Sequence, residues 1–161
     1  MTSTRELSES SRSADHSDIA NRLFFRLYQA SNLMHKFGTS AVSSFGTTTQ
    51  QWAVLGALSR LPAQGRGLSV KELMEYLMVS RQSLTAILDR MEAGGLIDRT
   101  RIDGDGRLRH VRLTRKGIKT WTDMRPNIRA FYEAALTDFS MEESYLLMRL
   151  LDRLSAGLAK L

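Results

Sequence analysis

Apolar residues recur every three or four positions along most of this chain, and the breaks in that rhythm divide it into helices and one extended segment. Ile19, Leu23, Leu27, Ala30, Met34, Phe37 and Ala41 form one stripe of a helix that begins at Asp18. Phe24, Tyr28, Ser31, His35, Gly38 and Val42 form a second stripe beside it. A helix apolar over so much of its circumference calls for two neighbours, and a second subunit is one candidate. Upstream, residues 1–17 are Ser-rich and mixed in charge, with Leu7 their only large apolar residue after the initiator, which predicts a flexible polar tail.

Thr47-Thr48-Thr49 opens a second apolar run, Trp52, Leu55, Gly56, Leu58 and Leu61, which Pro62 and Gly65-Arg66-Gly67 close. Ser69 with Glu72 three residues on is a capping-box pattern for a third helix carrying Leu73, Met74 and Leu77. Val79 falls in a turn, and Ser80 is the N-cap of a fourth helix that runs to about Ala93, where Gly94-Gly95 supplies a left-handed stop. The pattern then changes to an extended one. Asp103-Gly104-Asp105-Gly106 suits a tight turn, and Val111 and Leu113 alternate with His110 and Arg112, so residues from Leu96 to Leu113 read as a β-hairpin. Helical periodicity returns from Thr114 to about Thr137, with Pro126 expected to kink or interrupt it near Arg125. Ser140 and Glu143 repeat the capping box ahead of a terminal stripe of Leu147, Leu150, Leu151, Leu154, Leu158 and Leu161.

Charge singles out the hairpin. From Leu96 to Lys119 eight Arg or Lys stand against three Asp, so this segment carries a net +5 of the chain's formal +6. Such concentration points to a polyanionic partner, which charge alone leaves open among DNA, RNA and an anionic membrane surface. The 161 residues suit one domain, and the absence of Cys excludes disulfides and thiol chemistry. With no apolar run near the roughly 18 residues a membrane span needs, and no leader pattern, the cytoplasm is the expected compartment. No nucleophile elbow, phosphate-cradling loop or convincing triad is present, and Glu142-Glu143 point in different directions on a helix, so an enzyme is not expected. His16, His35 and His110 are scattered without ligand spacing, so neither a metal nor another cofactor is expected.

On a wheel of 100° per residue, Leu84, Ile87, Leu88 and Met91 share one face of the fourth helix, while Gln82, Thr85, Ala86 and Asp89 face away. The outward face opens with Arg81, Gln82, Ser83 and Thr85, side chains that allow close approach to base edges. Gln pairs with adenine and Arg with guanine, and a Thr methyl meets that of thymine. Ser80, Ser83 and Arg90 flank this face and suit phosphates, and Arg99, Arg101 and Arg109 extend the charge into the hairpin. Helix, turn, polar-faced helix and basic hairpin together make a winged helix-turn-helix. One such head makes few contacts, so two heads about 34 Å apart on a shared frame are expected.

These residues resemble the MarR (multiple antibiotic resistance regulator) family of bacterial transcription factors. The wing pattern Asp-x-Arg-x-x-x-Val-x-Leu-Thr-x-x-Gly is met at Asp105, Arg107, Val111, Leu113, Thr114 and Gly117, and residues 48–55 and 80–92 are similar to the family's second and recognition helices. The resemblance implies a mainly α fold with a small β-hairpin wing, in which 47–114 form the winged helix-turn-helix and 18–45 with 115–161 form a dimerisation region. It further implies a homodimer on a pseudopalindromic double-stranded DNA operator, with Arg107 in the minor groove and Asp105 steadying the wing, usually as a repressor. Family members commonly bind a small anionic or aromatic molecule between the dimer helices and the DNA-binding lobe. Candidates here are Tyr28 and His35 on the second stripe, aromatic walls from Trp52, Trp121 and Tyr132, and Arg22 and Arg26 for an anion. Taken singly, Tyr28 and His35 favour packing roles, an interface tyrosine and a satisfied core histidine. An aromatic carboxylate or its coenzyme A thioester is the expected effector, and a ligand-independent architectural DNA-binding protein is the alternative function.

Overall fold

The computed structural model describes the backbone of residues 4–60, 66–102 and 105–161, and the side chains of 17–60, 66–100 and 110–161. Six helices and three short strands follow one another as α1 (Thr4–Val42), α2 (Thr49–Leu58), β1 (Leu68–Ser69), α3 (Val70–Leu77), α4 (Arg81–Ala93), β2 (Ile97–Ile102), β3 (Asp105–Leu113), α5 (Arg115–Ala135) and α6 (Met141–Leu158). Hydroxyl caps set five of the six helix starts. Thr48, Ser69 and Ser140 form complete capping boxes with Gln51, Glu72 and Glu143, and Ser80 and Thr114 accept from the backbone N–H three residues on.

The N-terminal boundary differs from the sequence reading. The helix starts at Thr4 rather than Asp18, so residues 4–17 of the segment read as a polar tail are part of α1. No Gly or Pro lies between Thr4 and Phe37 to stop a helix nucleated by the apolar stripes downstream. Pro126, expected to kink or interrupt the helix near Arg125, does not interrupt it: α5 runs through the proline. An interior proline costs about 3 kcal/mol, but Met124 and Ile128 on either side are buried in the core and hold both halves of the helix in place.

The hairpin is part of a three-stranded antiparallel sheet of order β1-β3-β2. Strand β2 pairs Ile97 with Leu113 and Arg99 with Val111, and the register shifts between Arg101 and Ile102. Strand β1 sets Leu68 against Val111 and Ser69 against His110. Two residues are too few to display alternation, which is why the sequence pattern does not reveal this strand. His110, a polar position in the alternation with Val111 and Leu113, is buried, its Nδ1 lying 2.9 Å from the carbonyl oxygen of Arg66.

The core lies beneath the sheet. Leu55 of α2, Leu73 of α3, Leu84, Leu88 and Met91 of α4, Ile97 of β2 and Val111 of β3 are nearly or fully buried together, with Val42 and Met124 closing the side toward α1 and α5. In contrast, α6 buries none of its residues. Leu147, Leu150 and Leu151 are 40–47% exposed, and Ile19, Leu23 and Phe37 of α1 are more than half exposed. No helix among the described residues is long and apolar enough to cross a membrane.

Candidate nucleic-acid interface and effector cavity

The reading helix α4 is fixed by its inner face and by both ends. Leu84, Ile87, Leu88 and Met91 are its buried residues, the set that the wheel selects, and residues 81–83, 85 and 86 are exposed. At its start the Ser80 hydroxyl accepts from Ser83 N–H at 3.2 Å and donates to the Ser83 hydroxyl at 2.9 Å. Ser80 therefore caps α4, with its hydroxyl held by Ser83, at the positive end of the helix dipole, where phosphate is favoured. Arg81 and Gln82 make no side-chain hydrogen bond or ion pair among the described residues, whereas the Thr85 hydroxyl donates to the Arg81 carbonyl at 2.8 Å, leaving its methyl outward. Arg90 is exposed, with Nε donating to the Ala86 carbonyl at 3.1 Å.

The far end of α4 is held more elaborately. Gly95 is left-handed (φ 69), and Leu96 N–H and Gly95 N–H bond back to the Met91 and Glu92 carbonyls at 2.9 Å each, a Schellman closure. The remaining carbonyls are taken from outside: Lys116 Nζ donates to Gly94 O at 2.8 Å and the Thr114 hydroxyl to Gly95 O at 2.6 Å. Thr114 thus closes α4 while its own oxygen caps α5. Gly117 packs so tightly under this corner that a Cβ would penetrate the Leu96 carbonyl group.

Arg99 takes a place the sequence reading did not foresee. Rather than extending free charge along the hairpin, its guanidinium, only 17% exposed, pairs with Asp89 at 2.5 Å and with Glu92 at 3.4 Å, both on α4. The side chains of Arg101, Asp105, Arg107 and Arg109 lie outside the described residues; their backbone lies on β2 and β3.

A separate cavity of about 660 Å³ lies among α1, α2, α3 and α5. Trp52, Trp121 and Tyr132, read from the sequence as aromatic walls, all line it. Trp52 meets Phe131 edge to face at 6.0 Å and lies 5.6 Å from Tyr132. A Cβ at Gly56 would stand 3.1 Å from the Trp121 ring, so the glycine lets α5 approach α2 here. Burial raises the Tyr132 hydroxyl above its ordinary pKa and keeps it a proton donor.

The four α1 candidates are not part of this cavity. Tyr28 is 64% exposed, Arg22 pairs with Asp18 at 3.8 Å, and Arg26 bonds Gln29 at 3.1 Å beside a different hollow. His35 is exposed and meets α2 only through its carbonyl, which accepts from the Thr49 hydroxyl. The second stripe of α1 seats Gly38 against Thr49 and Trp52 of α2 and buries Val42, while Phe24 and Tyr28 nearer its start stay exposed, and Met34 of the first stripe lines the cavity. The cavity's cations are Arg60 and Arg125, neither with a carboxylate partner among the described residues. Helical spacing carries their signal: Trp52, Gly56 and Arg60 are four apart, as are Trp121 and Arg125.

Comparison with known proteins assigns the family. The MarR family domain matches residues 45–108, from the end of α1 into the wing. The transcriptional activatory protein BadR of Rhodopseudomonas palustris is 48% identical over 142 residues, which span 85% of this chain and 81% of that protein. This chain belongs to the MarR family. The homoprotocatechuate degradative operon repressor of Escherichia coli is 28% identical over 134 residues, 83% of this chain and 88% of its own. The MarR fold is matched in solved structures as well: the PcaV transcriptional regulator of Streptomyces coelicolor, in complex with its natural ligand, is 27% identical with a TM-score of 0.71, covering 86% of this chain and 92% of that one. MarR proteins are transcriptional regulators with a winged helix, and the sheet and α3–α4 pair described above are that winged helix-turn-helix.

Proposed function

We propose that this MarR protein is a homodimer that reads a pseudopalindromic operator with two copies of α4 and is released from it when an aromatic acid or its coenzyme A thioester fills the cavity behind Trp52. The observation that carries the DNA reading is the exposed start of α4, with Arg81 and Gln82 unengaged at a capped, positive helix end and the cationic wing tied alongside. Arg81, Gln82 and Thr85 address bases, Ser80, Ser83 and Arg90 address phosphates, and Arg107 and Arg109 reach the DNA from the wing with Asp105 in support. Arg99 positions the wing against α4 rather than contacting phosphate.

Apolar faces left open on α1 and α6 support the dimer, since contiguous apolar surface on this scale belongs to an interface. Three aromatic walls, a protonated Tyr132 and two guanidinium groups without a carboxylate partner among the described residues support an anionic aromatic effector, in a volume typical of ligand sites. Residue chemistry does not set the sign of regulation: release relieves repression where the operator overlaps the promoter and withdraws activation where it lies upstream. Footprinting on operators selected from random DNA, with and without aromatic acids, tests the reading. Short two-fold protected sites that fade with the acid support it, and broad coating of any duplex replaces it with an architectural role.

A further inference from the structure

Arg60 lies two residues beyond the end of α2, and its Nη1 donates to the hydroxyl oxygen of Tyr76 in the last turn of α3. The guanidinium also stands over the Tyr76 ring, 5.1 Å from its centroid. Both side chains line the aromatic cavity, so one cation belongs at once to the wall of that cavity and to the first helix of the helix-turn-helix. Tyr76 precedes the cap of the reading helix by four residues. The turn between them passes through Met78 at φ 53, the only non-glycine residue among the described ones with a positive φ. A side chain in that conformation is strained and persists only while its neighbours hold it there.

We infer that Tyr76 is the resting partner of Arg60, and that an anionic aromatic effector takes Arg60 from it, so that filling the cavity loosens α3 and with it the seat of α4. The inference rests on the effector reading above and adds the residue pair that transmits occupancy. A neutral phenol oxygen is the weaker acceptor for a guanidinium, and a carboxylate or thioester-linked phosphate the stronger. Arg125, on the opposite wall and without a carboxylate partner among the described residues, supplies the second cation that draws the anion in. Because Tyr76 stabilises the empty state, its hydroxyl opposes effector binding and makes that binding felt at the DNA.

The test measures the affinity of benzoate, 4-hydroxybenzoate and their coenzyme A thioesters by tryptophan fluorescence, together with operator affinity at saturating effector, in the full chain and in Tyr76→Phe and Arg60→Gln. In the unmodified protein, effector should weaken operator binding roughly tenfold, within the usual range for coupled sites. Tyr76→Phe keeps the ring but removes the acceptor: effector should bind roughly threefold tighter or better, while its effect on operator affinity falls below about twofold. Arg60→Gln should weaken effector binding at least about tenfold. An undiminished effect on operator affinity in Tyr76→Phe overturns the inference while leaving the effector site standing. If none of the four compounds binds the unmodified protein, the effector reading falls and this inference falls with it.

Discussion

Arg99 Nη2 donates to Asp89 Oδ1 at 2.5 Å, and this pair ties β2, the first strand of the wing, to the outward side of α4. With Glu92 as second partner, one mostly enclosed Arg side chain sets the angle between β2 and α4. Arg99→Ala should weaken operator binding several-fold with the dimer intact, and the slope of log affinity against log salt should stay as it was. Loss of a direct phosphate contact would reduce that slope by about one unit; a titration at several salt concentrations distinguishes the two.

Gly117 tolerates no side chain. A Cβ there would enter the Leu96 carbonyl group, which itself accepts from Thr114 N–H at 3.1 Å. Gly117→Ala should destabilise the fold by about 2 kcal/mol, as overpacking of a closed site does, and lower operator affinity in the fraction that folds. Urea unfolding and a gel-shift titration of the same preparation check both.

Arg107, at the position of the wing Arg in the family pattern, should matter for DNA and not for assembly. Arg107→Ala is expected to weaken operator binding more than about tenfold at moderate salt, the loss of one good bidentate or groove contact. Unchanged affinity would remove the wing from the mechanism.

The open apolar face of α6 predicts the route to a monomer. Leu151→Glu places a charge within the stripe formed with Leu147 and Leu150, and sedimentation should show the dimer lost. Operator binding should collapse with it, because a single head retains too few contacts.

Acid should act at the start of α3. Hydrogen bonding to the Ser69 backbone N–H, then to Arg66, holds the Glu72 carboxyl at about 2, below its ordinary 4.5. A depressed folded-state value contributes stability that is complete above pH 4.5 and lost as pH falls toward 2. Since the side chain is more than a third exposed, screening limits the contribution to about 1 kcal/mol. The stability advantage of the unmodified protein over Glu72→Gln should therefore shrink between those pH values in denaturant titrations.

How far the sequence could be read depended on whether contacts were local. In α4 the cap, the apolar period and the paired glycines agree, and the buried set is the one the wheel selects. On α1 the two stripes look alike in sequence, and packing divides the second along its length: Gly38, where a Cβ would stand 3.2 Å from Trp52, sits on α2, while Tyr28, ten residues earlier on the same stripe, is left outside. Arg60, Tyr76 and Arg125 come from three helices, and their meeting is a property of tertiary packing that no window of sequence contains. Arg99 shows the same limit, since its charge is legible but its pairing with Asp89 depends on how β2 crosses α4.

The two ends of α4 are restrained unequally, with the Lys116 ammonium and the Thr114 hydroxyl from the start of α5 gripping the carbonyl end and, among the described residues, the serine cap at the other. A thirteen-residue helix is a rod about 20 Å long, so rotation about its clamped end is magnified at the free tip, where a tilt of about 5° displaces the base-reading residues by nearly 2 Å. That sweep exceeds the tolerance of a hydrogen bond to a base edge. The lever arm built into α4 means that, in the proposed dimer, a small adjustment beneath it would suffice to carry the two heads out of register with a duplex.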